Sequence, residues 1–97
     1  MNHFRVALVD VTSGTAEEAV EIARGGLLPL FKSQPGFVRY ELGKLDTGGI
    51  ISFTVWETAD EAEAANAAAA DFVAKNMADL IQLESSHVGD YFFDESA

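Results

Sequence analysis

The chain has 97 residues, 48% of them hydrophobic, and sets 16 acidic side chains against 6 basic ones for a net charge of −10. That length makes one domain, residues 1–97, and so acidic a balance excludes nucleic-acid binding through phosphate contacts. Cysteine is absent, which excludes disulfides, thiolate metal sites and a cysteine nucleophile. Met1–Val11 lacks the long apolar core of a secretory signal and no stretch approaches a membrane span, so a cytoplasmic protein is expected. A domain this small buries only about 60–65% of the surface of its unfolded chain. The hydrophobic content exceeds what such a core hides, which points to an oligomer.

Phe4–Val11 reads as a strand, with Phe4, Val6 and Leu8 on one face and Arg5, Ala7, Val9 and Val11 on the other. The unbroken apolar run Val6–Val9 suggests burial on both sides. Thr15 to Glu18 spells TAEE, a capping box that opens a helix. Ala16, Ala19, Val20, Ala23, Leu27 and Phe31 then recur at helical spacing. Gly25, Gly26 and Pro29 interrupt them, so a kink or restart is expected near Gly25, with Leu27–Lys32 as a second helical piece.

Pro35 and Gly36 make a turn. Phe37–Leu45 and Ile50–Glu57 follow as the arms of a β-hairpin joined by DTGG at 46–49. In the second arm Ile51, Phe53 and Val55 face one way, and Ser52, Thr54 and Trp56 the other. Thr58 to Glu61 is a second capping box. Residues 59–70 are then almost all alanine around Asn66, and an apolar stripe of Phe72, Val73, Met77, Leu80 and Ile81 carries the helix on to Leu83. Ser85–Phe93 is read as the last strand. The order β–α–β–β–α–β is that of an α+β ferredoxin-like fold, a four-stranded antiparallel sheet with helices on one face. A helix of alanines either settles onto the sheet or leaves a cavity beside it. Phe72, Met77 and Leu80 favour the helix that stands off.

The segments PGF at 35–37, SFTVWET at 52–58 and ADEAEAA at 59–65 resemble the antibiotic-biosynthesis monooxygenase family. The resemblance implies a dimeric α+β barrel, in which two sheets pack face to face and each subunit keeps a pocket between its sheet and helices. It also implies oxygenation without a metal, flavin or other cofactor. The haem-degrading branch of the family needs an Asn, a Trp and a His that fall at Ala7, at Ala65 or Asn66, and at Lys75 or Asn76. All three are missing, so haem degradation is not expected. In the branch that oxidises aromatic polyketides, a pocket Asn falls at Ser52, and only Trp56 carries over.

Catalytic candidates are therefore Trp56, as a pocket wall or as core, and His87, whose imidazole can serve as a general base. Substrate-binding candidates are Ser52, Thr54, Arg39 and Asn66. Arg39 and Arg5 can each hold an anionic oxygen or pair with a cross-strand acid such as Glu41 or Asp10. Tyr40 and Tyr91 can donate to a substrate oxygen or pack with their hydroxyls at the edge. Two histidines without acids at ligand spacing do not make a metal site. The expected function is cofactor-independent monooxygenation of a small phenolic, quinol or polyketide-like substrate by a homodimer. The alternative is a non-catalytic dimer that binds a small aromatic or apolar ligand. The expected dimer face carries Ile51, Phe53 and Val55. No nucleic-acid or membrane partner is expected.

Overall fold

A computed structural model describes residues 2–96. The strand β1 (His3–Val11) leads into α1 (Ala16–Ile22), where the Thr15 hydroxyl accepts from the Glu18 N–H at 3.2 Å. That bond satisfies one of the donors a helix start leaves unpaired. The helix widens into a π-helical segment over Ala23–Leu27, in which the Leu28 N–H reaches the Ala23 carbonyl, and resumes as α2 (Leu28–Lys32). The expected kink at Gly25 is thus a widened turn within a continuous helix. Pro29 supplies the reason: it lacks the N–H that would bond back to Gly25, and its ring crowds that carbonyl. Gly26 meets the outer edge of the Phe72 ring, so close that a Cβ there would overlap it.

The hairpin comprises β2 (Phe37–Lys44) and β3 (Ile50–Trp56). Leu45 accepts from the Gly48 N–H and donates to the Gly49 carbonyl, both at 2.8 Å, while Gly48 takes a φ of +99° that favours glycine. The helix α3 (Ala59–Asn76) starts at Thr58, whose hydroxyl accepts from the Glu61 N–H at 3.2 Å. It ends seven residues short of the expected Leu83. Residues 77–80 turn, with the Leu80 and Ile81 N–H groups both bonded to the Met77 carbonyl, and β4 runs over Ile81–Asp90. Ile81 and Leu83 therefore belong to the sheet, as partners of Val11 and Val9. Pairing with the long β1 outweighs helical continuation there. Phe92 and Phe93, expected to lie in the strand, follow its end and are exposed.

The strands form one antiparallel sheet in the order β2-β3-β1-β4. This is the ferredoxin-like α+β fold. Residues paired across an antiparallel ladder share a face. The helices cover the face of Ala7, Val9, Val11, Ile50, Ser52, Thr54 and Trp56. Phe4, Val6, Leu8, Ile51 and Phe53 carry the opposite face, where Phe4 stacks on Phe53 at 5.9 Å. Two bulges interrupt the alternation. One falls between Phe37 and Arg39, and the other skips Glu84, since Leu8 pairs with Ser85 but Val9 with Leu83. Each reverses the facing of the residues beyond it. The core between sheet and helices gathers Ala19, Ala23, Phe31, Trp56, Ala62 and Ala65. Among the described residues no helix is long and apolar enough to cross a membrane.

Candidate functional site

Alanine at 62, 65 and 69 gives α3 a flat inner face, and its two halves do different things. Ala62 and Ala65 are buried to 1% and 0% exposure near the end of the sheet that carries Trp56. Further along, Asn66, Ala69, Val73 and Met77 form one wall of a cleft of about 440 Å³. The facing wall is Ala19, Ala23, Leu27 and Phe31, and the sheet supplies the floor: Arg5, Ala7, Val9, Tyr40, Leu42 and Ser52. The expectation of a helix that stands off holds for this half alone. A second groove of the same size adjoins the cleft across Val20, Tyr40, Leu42 and Ile50, rimmed by Glu17, Glu21, Arg24 and Lys44.

The polar groups of the floor come from register. Arg5 pairs with Thr54, and Thr54 with Tyr40, so three strands set Arg5, Thr54 and Tyr40 in one row; Ala7, Ser52 and Leu42 form the next. Burial pushes the Tyr40 phenol up to about 12, so at neutral pH it is a protonated donor. Its ring meets Phe31 edge-on at 4.8 Å. Arg5 is half-buried, and desolvation lowers its pKa from the usual guanidinium value. Among the described residues it makes no ion pair and no side-chain hydrogen bond. Two buried oxygens, Thr54 Oγ1 and Asn66 Oδ1, also lack a partner, as does Trp56 Nε1. Native interiors pair such atoms as a rule, so each is an exception.

Of the residues singled out from sequence, Ser52 and Asn66 line the cleft. Thr54 lies in the floor row but is buried beside the cleft, not open to it. Trp56 is a correction: it is fully buried between Phe31 and Phe37, with ring centroids 5.6 Å from each, and does not border the cleft. Arg39 is a second one. The bulge before it turns it away from the helices, and its exposed guanidinium lies 3.9 Å from Glu41. His87 is the third. It pairs with Val6, which puts it on the opposite face of the sheet, and it is exposed. Arg5 and Tyr40 take the places on the floor that Arg39 and His87 do not. The alternation of Arg5 with Ala7, Val9 and Val11 is the signal that could have ranked it first. Among the described residues no three of His, Cys, Asp and Glu gather as metal ligands.

A model of the family described as antibiotic biosynthesis monooxygenase matches residues 3–74. No curated protein matches the sequence. Several solved structures share the fold. SnoaB from Streptomyces nogalater, described as a cofactor-independent oxygenase, is 21% identical with a TM-score of 0.78, covering 96% of this chain and 95% of its own. A putative antibiotic biosynthesis monooxygenase from Chloroflexus aurantiacus is 18% identical with a TM-score of 0.74, covering 99% and 98%. The monooxygenase from ActVA-Orf6 of Streptomyces coelicolor, in complex with nanaomycin D, is 17% identical with a TM-score of 0.73, covering 97% and 91%. The matched segment takes in β1, the first helix, the hairpin and nearly all of α3, the elements that build the cleft. The chain belongs to the antibiotic biosynthesis monooxygenase family.

Proposed function

We propose that the cleft is the site of a cofactor-independent monooxygenase acting on a small phenolic, quinol or polyketide-like substrate. The observation that carries this reading is an apolar cleft beneath α3 whose few polar groups, Arg5, Tyr40, Ser52 and Asn66, come from its floor and one wall. Such a site holds an aromatic body out of water and leaves oxygen atoms for a few directed contacts. Family membership and the description of SnoaB support the same chemistry.

The substrate's anion supplies the electrons. It gives one to O2, the resulting radicals combine to a peroxide on carbon, and loss of water leaves a carbonyl. In sum an anthrone's CH2 group and O2 become C=O and H2O, while a hydroquinone and O2 become the hydroxyquinone and H2O. The protein's share is to exclude solvent, orient the ring and stabilise negative charge on the substrate oxygen. Among the described residues neither an imidazole nor a carboxylate lines the cleft, and His87 lies on the far side of the sheet. The substrate therefore ionises before binding or against solvent, with Arg5 and Tyr40 lowering the cost of its charge.

An oxygen electrode with a panel of anthrones and hydroquinones tests the proposal. The expected result is one O2 consumed per substrate molecule oxygenated, without added metal or flavin. The lack of an internal base favours one rival, a ligand-binding protein with the same cleft. Binding of the panel with no oxygen uptake by any member would establish that rival.

The reading includes a homodimer. Phe4, Val6, Leu8, Ile51 and Phe53 form a half-buried apolar sheet face that no helix covers, and a second copy would cover it. Light scattering at micromolar concentration is expected to give twice the 10.4 kDa chain mass. A stable monomer would remove the barrel from the proposal.

A further inference from the structure

We propose that the cleft selects a small aromatic anion, with the carboxylate or phenolate oxygen held by Arg5 and a hydroxyl elsewhere on the ring system donating to Asn66 Oδ1. The proposal rests on the reading of the cleft as the substrate site. It adds the charge of the ligand and the residues that recognise it.

Of the six basic side chains, Arg39, Lys44 and Lys75 lie 3.9, 3.0 and 3.0 Å from Glu41, Glu17 and Asp71. Arg24 and Lys32 are exposed to water. Arg5 alone is partly withdrawn from solvent with no acid beside it among the described residues. In a chain of net charge −10 a carboxylate would have been easy to supply. Asp90, one row along on the same face, is turned to His3 instead, at 2.8 Å. Asp10, the acid its own strand offers, lies at the far end of β1 on the other face. Desolvating a guanidinium without a partner costs free energy that a bound anion returns.

The second group is independent of the first. Asn66 comes from α3, not from the sheet, and its Oδ1 is buried at the cleft wall with no donor. It needs an N–H or O–H from whatever fills the cleft. A cation in the floor of an aromatic-sized apolar space, with an unfilled acceptor on the α3 wall, fits a ring that carries an anionic oxygen and a hydroxyl. Arg5 presents a planar fork of donors, which suits a carboxylate in two contacts or a phenolate in one.

The probes are 3-hydroxy-2-naphthoate, its methyl ester, and 4-nitro-1-naphthol with its methyl ether. Each is titrated at neutral pH, where the first and third are anions. Wild type is expected to bind at least one anion more tightly than its neutral counterpart, by roughly ten- to a hundredfold for a charge-assisted contact. A preference confined to the naphthoate assigns the carboxylate, and one confined to the nitronaphthol assigns the phenolate. Arg5→Met should abolish the preference while the neutral ligands still bind, and Arg5→Lys should restore part of it. Asn66→Ala should weaken 6-hydroxy-2-naphthoate, whose hydroxyl is free of the carboxylate, but not 2-naphthoate. Circular dichroism of each variant separates loss of contact from loss of fold. Equal affinity for anion and neutral partner in wild type would overturn the inference, as would binding of neither, or equal loss of both in Arg5→Met. Turnover of neutral quinols without anion preference would leave the oxygenase reading intact. Arg5-dependent anion binding without oxygen uptake would do the reverse.

Discussion

Trp56→Ala is expected to destabilise the fold by about 3–5 kcal/mol, the cost of removing a large aromatic from a core that cannot collapse around the loss. Trp56 is fully buried, and both Phe31 and Phe37 pack on it edge-on. It joins the ends of β2 and β3 to α2, so the vacated space would open at the junction of sheet and helices. A domain of this length has about 5–15 kcal/mol in total, and the variant should be close to unfolding at physiological temperature. Trp56→Phe should lose less, because it keeps a ring and removes the buried Nε1–H that has no acceptor. Urea denaturation followed by far-ultraviolet circular dichroism measures both. A cost below about 1 kcal/mol for the alanine variant would contradict the packing described, given the usual range for such sites.

The two halves of α3 should answer the same substitution in opposite ways. Ala65→Leu places a branched side chain where exposure is already 0% and no cleft adjoins, so overpacking should cost about 1–3 kcal/mol. Ala69→Leu puts the same atoms into the cleft. Stability should change little, while affinity for an aromatic ligand should fall by roughly tenfold or more, about 1.4 kcal/mol per decade. Denaturation and ligand titration on the pair decide the matter. Equal destabilisation with unchanged binding would mean that the helix is seated on the sheet along its whole length.

The sequence reading of the fold succeeded where a signal is local. TAEE and TADE open helices because a threonine hydroxyl and a glutamate N–H lie three residues apart, and both bonds are present. DTGG turns the hairpin because Gly48 can take a positive φ. The end of α3 was misplaced because Ile81 and Leu83 continue a helical stripe as well as they pair with β1, and only the ladder decides. For the site, Ser52 and Asn66 were legible from alternation and from an amide among alanines. Arg39 and His87 were not, for one shared reason. Phe37, Ile81 and Leu83 face the helices, and strict alternation from them would carry Arg39 and His87 to the same face. The bulges at Val38 and Glu84 each add a residue and turn both side chains away. No residue type in those stretches announces the insertion.

Gly26 touches nothing in the cleft, and neither does Phe72, yet their contact acts as a spacer for it. The missing Cβ lets the outer edge of the ring come up to the backbone of the widened turn, so the Phe72 side chain holds α3 at its own reach from that turn. Val73, the next residue on α3, borders the cleft, as do Ala23 and Leu27 on the other side of the contact. The width of the opening is thus set by a wedge outside it. A larger residue at 26 or a smaller one at 72 would retune which rings pass between the walls while every ligand-facing side chain stayed the same. The shape of the cleft can be altered from behind its walls, leaving the polar groups of its floor untouched.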